Sequence, residues 1–363
     1  MFWKSRRGSG LSNFGDALER LHRGGLEYAD GLANHGPMGA EALECLGHPA
    51  LIPAFLDIYA PRLPPAVRGR VLSESETDSM LGDMGRASDW VATFEARLDG
   101  GDWREVVSAS LPELLPGVFA AAGHGFLRTA HAVRALTRED TPLRRRELAR
   151  GLAHWSARFQ SLPGLPGSRA GEQPELAEVF AAWPLVASAD ARVGLIFEAV
   201  RHLEGSRAFV RAVESVGPPS EEGLDAFLTD LCRIAASLYL AHPEARIPYV
   251  HAMTIPSALR LVAPLLPARA VCRGALFALQ AVGAIHSIYG TPGPPSEPDE
   301  EVRQTAGSWD EIRYRAACSI QEHAIKMAEA CWREDRLAPD PILALAAADA
   351  AVKLAERRSA GDC

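Results

Sequence analysis

The sequence predicts an all-α protein. Apolar side chains recur with the helical spacing i, i+3, i+4 and i+7, as at Phe14, Ala17, Leu18 and Leu21, whereas the alternating pattern of a strand is missing. Of the 363 residues, 47% are hydrophobic and 23% are charged, which is the balance of an ordinary globular protein. This composition excludes a disordered chain. Six scattered cysteines without a C-x-x-C pair exclude a disulfide scaffold and are expected to be reduced.

The helical pattern is divided by glycine and proline. Ten segments are predicted to be helical: residues 86–100, 103–120, 122–136, 144–160, 192–215, 222–241, 244–266, 270–289, 307–333 and 340–358. Breakers at residues 61–65 and 163–167 fall where helices should end, and those at 218–219 and 291–298 predict loops. The length slightly exceeds the size at which one core stops growing. We therefore expect one large multi-helix domain over residues 1–363, or two packed halves over 11–165 and 170–358, with loosely ordered ends at 1–10 and 359–363.

Charge and hydropathy argue against two classes of partner. The 46 acidic and 38 basic residues give a net charge of -8, and the one basic run is Arg-Arg-Arg at 144–146, so no nucleic-acid partner is expected. No apolar segment follows the charged N-terminus, and the apolar stretch 258–285 is interrupted by arginines. We therefore expect a cytoplasmic protein without a membrane partner. The sequence does not indicate its oligomeric state.

Lysine is rare in this chain, which makes Lys326 conspicuous. Only three of the 38 basic residues are lysines, a bias that an arginine-rich genome explains. Lys326 follows His323 by three residues, so the two side chains share one helix face. Lys326 is either an exposed partner of Glu322 or Glu329, or it is buried. A buried lysine has a lowered pKa, and its neutral amine could react with carbon dioxide to form an anionic carbamate that resembles a carboxylate ligand.

Four of the eleven histidines have surroundings that suit a metal ligand. His35 precedes a Gly-Pro helix start, His124 lies between two glycines, His251 is in an apolar stretch, and His323 shares a face with Lys326. Taken singly, each also fits a buried structural role. Several neutral imidazoles that converge from different helices would build an iron or zinc site. The hypothesis therefore depends on whether the four imidazoles converge in the fold.

Better-known site motifs are missing or weak. HExxH, a Walker A loop, a Gly-x-Ser-x-Gly elbow and a Rossmann Gly-x-Gly-x-x-Gly are absent from the sequence. His-x-Glu triplets at 202–204 and 242–244 match part of a 2-His-1-carboxylate site, but this triplet is common. The single Glu-x-x-His at 19–22 is too little for a ferritin-type di-iron site.

Four segments that contain these histidines carry a family resemblance. They are Asn-His-Gly-Pro-Met at 34–38 with residues 40–43, Leu-Leu-Pro-Gly at 114–117 running into 123–128, Tyr-Val-His-Ala-Met-Thr at 249–254 with 258–260, and Glu-His-Ala-Ile-Lys at 322–326. In this order, the set resembles the questin oxidase-like family of aromatic polyketide tailoring enzymes. The resemblance extends over residues 34–326.

The resemblance implies an all-α oxygenase with non-haem Fe(II) that uses O2 on a polycyclic, anthraquinone-like polyketide. The implied reaction is either a Baeyer–Villiger-type oxygen insertion or an oxidative carbon–carbon ring cleavage, and a need for NADPH is left open. The metal-binding positions that match are His35, His124, His251, His323 and a carboxylated Lys326. The chain departs from the family pattern at His131, where aromatic residues are more usual.

A polycyclic substrate would need a flat apolar pocket beside the metal. The predicted lining residues are Phe126, His131, Trp155, Tyr249, Met253 and Phe277. Arg128, one turn after His124, is predicted to meet a phenolate or carboxylate of the substrate. Two alternatives stay open at this point. One is a helical protein that binds a hydrophobic polyketide or a partner helix without chemistry, and the other is a zinc-dependent hydrolase that uses the same histidines.

Overall fold

A computed structural model describes residues 13–169, 175–186, 189–292 and 307–359. The structure is 72% helical, with 17 α-helices in this described part, and it confirms the prediction of a single all-α domain. The one sheet among these residues is a two-stranded antiparallel hairpin of β1 (Glu27–Tyr28) and β2 (Leu32–Ala33). The pattern of apolar residues did not reveal it, because each strand has only two residues.

The N-terminal part of the chain holds eight helices. They are α1 (Asn13–Leu21), α2 (Gly36–Cys45), α3 (Ile52–Tyr59), α4 (Glu74–Ser79), α5 (Ala87–Leu98), α6 (Trp103–Leu114), α7 (His124–Arg138) and α8 (Pro142–Ala157).

Nine further helices follow. They are α9 (Leu176–Ala181), α10 (Ile196–Ala199), α11 (Arg207–Ser215), α12 (Leu224–Ala241), α13 (Arg246–Val262), α14 (Ala268–Tyr289), α15 (Trp309–Cys318), α16 (Glu322–Leu337) and α17 (Pro341–Ser359).

Seven of the ten predicted segments are single helices whose ends lie within four residues of the prediction. The segment predicted over 103–120 ends earlier, at Leu114, and a 3-10 turn follows.

Two predicted segments are divided in the structure. Residues 192–215 contain α10 and α11, with Gly205 at a φ of 79° between them. Residues 307–333 contain all of α15 and most of α16, with Ile320 at a φ of 53° between the two helices. A left-handed residue cannot continue a right-handed helix, so the chain turns at both places.

The breakers at 61–65 and 163–167 and the predicted loop at 218–219 contain no α-helix. Most of the loop predicted at 291–298 lies outside the described residues, as do the predicted ends at 1–10 and 360–363. Residue 359, which was grouped with the loose end, is the last residue of α17.

The helices share one continuous hydrophobic core. Helix α7 packs on α8 and α13, α13 packs on α14 and α16, and α16 packs on α2 and α17. The α7–α8 contact is close, since a Cβ atom at Gly125 would lie 2.4 Å from the Cα atom of Trp155. Glycine is therefore required at this crossing. Helices α2, α7, α13 and α16, which meet in the interior, carry the candidate ligands.

One described helix, α14, is long and apolar enough to cross a membrane, with a mean hydropathy of 1.4 over its most apolar window. Within the fold, 94% of that window is buried. A core helix of a globular domain has the same properties, so α14 is weak evidence for a membrane span.

Candidate metal centre

Four histidines are brought together from four separate elements. His35 directly precedes α2 and His124 is the first residue of α7, whereas His251 lies within α13 and His323 lies in the first turn of α16. All four side chains are buried. Three of the four donors therefore lie at or beside a helix start, where the direction of the chain changes.

Left-handed backbone precedes two of these histidines. Residues 121–123 have φ values of 50°, 58° and 87° immediately before His124, and Ile320 has a φ of 53° before His323. For a residue other than glycine, this conformation costs about 1–2 kcal/mol. Such strain is typical of functional sites, where the surrounding structure holds the backbone in place. Here it accompanies the two turns that direct His124 and His323 into the cluster.

The imidazoles of these four residues converge. Each offers one ring nitrogen, and the four nitrogens lie within 4.8 Å of one another. The closest contact is between Nε2 of His35 and Nε2 of His124, at 2.7 Å. The convergence that the metal hypothesis requires is therefore present, and the four buried histidines could bind a metal ion.

Burial keeps these imidazoles neutral. It is the largest cause that holds the pKa of each of the four histidines well below the usual value of 6.5. The nearby charge of Lys326 and neighbouring imidazoles lower the same pKa values further. A metal ion binds the neutral form of imidazole, so the four side chains are in the protonation state that a ligand needs.

Several nitrogens at this cluster lack a hydrogen-bond partner among the described residues. They are both ring nitrogens of His251, Nδ1 of His35 and Nζ of Lys326. The backbone of Ala122 is close enough to His251 to raise its pKa, but the contact does not have the geometry of a hydrogen bond. An unsatisfied buried polar group costs about 1–3 kcal/mol. A bound metal ion would satisfy at least part of this set.

The donor set fits a first-row transition metal. Neutral imidazole suits zinc, copper, iron and nickel. With metal–nitrogen bonds of about 2.0–2.1 Å, two nitrogens bound to one ion lie at most about 4.2 Å apart. The widest spacing of up to 4.8 Å thus requires side-chain movements of less than about 1 Å.

Lys326 is buried, with 1% of its surface exposed. The alternative in which it is an exposed ion-pair partner is therefore wrong. Glu329 instead pairs with Arg134 and Arg333. Burial lowers the pKa of Lys326 to about 7, against an opposing effect of the Glu322 carboxylate. The lysine lies one helical turn beyond His323, and its charge acts on the imidazoles of the cluster.

A cavity of about 710 Å³ opens beside the cluster, and all four histidines contribute to its wall. Its size is within the range of small-molecule sites in proteins. Its apolar lining residues are Leu32, Leu195, Ile196, Phe197 and Ile247. Its polar lining residues, besides the histidines, are Tyr28, Arg62, Gln321 and Glu322.

The polar lining residues are connected to the histidine cluster. The Tyr59 hydroxyl accepts a hydrogen bond from the backbone N–H of His35 at 2.6 Å, and the rings of Tyr28 and Tyr59 meet edge to face at 6.2 Å. Nη1 of Arg62 lies 3.8 Å from Oε1 of Glu322. Tyr28 and Arg62 cannot be identified as cavity residues from the sequence, because no recognisable motif surrounds them.

None of the predicted apolar pocket residues lines this cavity. Phe126 packs on Trp155, whose indole N–H donates to the Gly117 carbonyl at 2.7 Å. The Tyr249 hydroxyl is hydrogen-bonded to Nδ1 of His286 at 2.9 Å. Met253 is fully buried and Phe277 nearly so, in the core. A helix exposes only one stripe to a cavity, and these residues lie on the stripes that pack against other helices.

Arg128 and His131 are also not among the residues that line this cavity. Arg128 forms two hydrogen bonds to the Glu147 carboxylate, at 2.5 and 2.9 Å, and only 1% of its side chain is exposed. His131 contacts Glu41 through Nδ1 at 2.7 Å. Both residues are therefore held by buried carboxylates.

Three carboxylates, of which Glu41 and Glu147 are buried and Glu27 is partly buried, share a pattern that the sequence does not reveal. Each is held between one histidine and at least one arginine: Glu27 between His154 and Arg158, Glu41 between His131 and Arg134, and Glu147 between His22 and Arg128. The partners come from distant parts of the sequence, so spacing gives no signal.

No family model and no curated protein matches the chain, which leaves the four-histidine cluster and its cavity as the observations from which a function is argued.

Proposed function

We propose that this protein is a non-haem iron oxygenase that acts on a polycyclic aromatic polyketide. The observation that carries the proposal is the convergence of four buried, neutral histidines on the wall of a cavity of about 710 Å³. A metal centre that opens onto a pocket of this size is the arrangement of an enzyme site rather than of a closed structural site.

His35, His124, His251 and His323 would hold the metal. The burial of Lys326 and its lack of a described hydrogen-bond partner support a role beside them as a carbamate. In that reaction the neutral amine nitrogen forms a bond to the carbon of CO2 and releases one proton, which leaves an anionic oxygen donor. Such an anion would offset part of the charge of an Fe(II) ion held by neutral imidazoles.

When bound, iron would supply a redox-active Lewis acid that binds dioxygen. The chain provides the rest of the site. The apolar wall at Leu195, Phe197 and Ile247 would hold a flat ring system and exclude water. The histidines would hold the metal beside that ring system. The choice of iron, of an anthraquinone-like substrate, and of oxygen insertion or ring cleavage follows from the resemblance to questin oxidase-like enzymes. NADPH would be required only if the reaction consumes external electrons.

The decisive experiment combines metal analysis with turnover. Protein reconstituted anaerobically with Fe(II) should hold about one iron per chain and consume O2 with a panel of anthraquinones and hydroquinones. Labelled O2 should appear in a ring-opened product. A protein that retains no first-row metal after reconstitution would contradict the proposal.

Two outcomes would favour the alternatives. Preferential retention of zinc with ester or amide hydrolysis, and no O2 uptake, would indicate a zinc hydrolase, since zinc binds the same imidazoles. Ligand binding that is unaffected by metal or by loss of His251 would indicate a polyketide-binding protein without chemistry.

A further inference from the structure

The cavity combines apolar lining residues with one positive charge, and this combination restricts what can bind. Leu195, Phe197 and Ile247 offer an apolar surface, and Arg62 adds a positive charge to the same lining. Among the residues that the structure describes, Arg62 is the one arginine or lysine on this cavity wall.

Arg62 is held in place at the end of a short 3-10 turn that follows α3. Its guanidinium carbon lies 5.6 Å from the centroid of the Tyr59 ring. Tyr59 in turn bonds the backbone of His35, so the cation is linked to the histidine cluster through one intervening side chain. About 30% of the Arg62 side chain remains exposed.

Arg62 contacts the side chains of Tyr28 and Glu322, and an anionic ligand would compete with the Glu322 carboxylate. The 3.8 Å between Nη1 and Oε1 is longer than a hydrogen bond, so these two atoms attract each other through charge alone. A guanidinium binds a carboxylate or phenolate through short, charge-assisted hydrogen bonds. An anionic ligand that forms such bonds would be preferred over the more distant Glu322 contact.

We infer that Arg62 determines substrate specificity by binding an oxyanion, either a carboxylate or a phenolate, on a flat aromatic substrate whose rings lie on the apolar wall. This inference rests on the proposed function, whose substrate class it makes narrower. It gives Arg62 the role that sequence spacing had suggested for Arg128, which the fold has instead paired with Glu147.

Direct binding tests the inference without turnover. Dissociation constants are measured by calorimetry for anthraquinone-2-carboxylate, its uncharged carboxamide, and 2-hydroxyanthraquinone below and above the ionisation of its phenol. Wild-type protein should bind the carboxylate, the ionised phenol, or both, about tenfold more tightly than the uncharged forms. The probe that binds more tightly in its anionic form identifies which oxyanion, carboxylate or phenolate, is recognised.

Three variants test whether Arg62 causes this preference for anionic probes. R62M should abolish it, with Kd for the anionic probe raised about tenfold and Kd for the carboxamide changed less than twofold, and R62K should retain part of it. E322Q should tighten binding of the anion, because it removes the competing charge. R97M is the matched control, since Arg97 is an exposed arginine over the Phe94 ring and should have no effect.

Equal binding of charged and uncharged probes by the wild-type protein would overturn the inference, even if R62M does not fold. An anion preference that survives in folded R62M would also overturn it. Iron content, measured on the same samples, separates this result from the proposed function. Protein that binds iron without an anion preference refutes only the role of Arg62, and protein with the preference but without iron refutes only the oxygenase.

Discussion

Nε2 of His35 and Nε2 of His124 lie 2.7 Å apart, and this contact defines the protonation of both rings. Nδ1 of His124 contacts the Ala121 carbonyl, which can only accept a hydrogen bond, so Nδ1 carries the proton of this neutral ring. Its Nε2 is then an acceptor, and Nε2 of His35 is the donor. If His35 is to bind a metal through the same nitrogen, its proton must move to Nδ1.

Replacement of single cluster histidines should remove the metal. We expect H124A and H251A to retain less than about one tenth of the wild-type iron or zinc, because each substitution deletes one of four donors. Metal content by mass spectrometry on folded protein is the measurement. H202A, which removes an exposed histidine, should bind metal normally. Wild-type metal content in both cluster variants would contradict the assignment.

Lys326 should show opposite effects on stability and on metal binding. K326M removes a buried amine without a described partner, so the metal-free protein should gain about 1–3 kcal/mol in its free energy of unfolding. The same variant should bind iron more weakly or lose activity, as should K326A and K326R, and added bicarbonate should not rescue them. Urea unfolding and metal titration provide the two readouts. Unchanged iron affinity and activity in K326M or K326R would exclude Lys326 as a ligand.

The left-handed turn before His124 can be tested with two neighbouring substitutions. A Cβ at Gly123 would lie 2.6 Å from Cδ1 of Ile255, and φ is 87° there, so G123A should lower the free energy of unfolding by more than about 1 kcal/mol and weaken metal binding. A122G relieves a strained φ of 58° and should change stability by no more than about 1 kcal/mol. Equal effects of the two substitutions would show that this backbone does not position His124.

Acid should destabilise the fold through the buried His–Glu–Arg groups. Burial raises the pKa of Glu147, but Arg128 and His22 lower it by more, so that the pKa is about 2. Its folded-state pKa lies below the unfolded value, so its contribution, on the order of 3 kcal/mol, is present above pH 4.5 and is lost as the pH falls towards 2.

The buried histidines also make the protein less stable as the pH falls. Burial lowers the pKa of His22 and His154 below 6.5, so their contribution declines as the pH falls below that value. Urea midpoints should therefore decrease between pH 7.5 and pH 4. A midpoint that is constant over this range would contradict the prediction. The variant E147Q should be less stable than wild type at pH 7, since it leaves Arg128 buried without its ion pair.

Helix positions could be predicted because apolar periodicity is a local property, and it was sufficient for α5, α7, α8 and α12. It did not locate the break at Ile320, where tertiary packing holds a β-branched residue in a left-handed conformation that its own preferences oppose.

The candidate ligands could be proposed from the residues around each histidine, but the cavity could not. Phe126 and Trp155 have the composition of a pocket and form core, whereas Arg62 lies in an unremarkable proline-rich stretch and reaches the cavity. Which face of a helix is turned inward depends on partners that are distant in sequence. Arg128 illustrates the same limit, since Glu147 and His22 cannot be identified as its partners from spacing.

The distribution of the four donors along the chain also limits how the protein can be divided. His35 and His124 lie in the first half of the sequence, and His251 and His323 in the second. Neither half on its own can present the full donor set, and a chain that ends before α16 lacks one donor. If the four histidines bind a metal ion, the complete site forms only after almost the entire chain has folded, and metal occupancy would then report on whether that folding is complete.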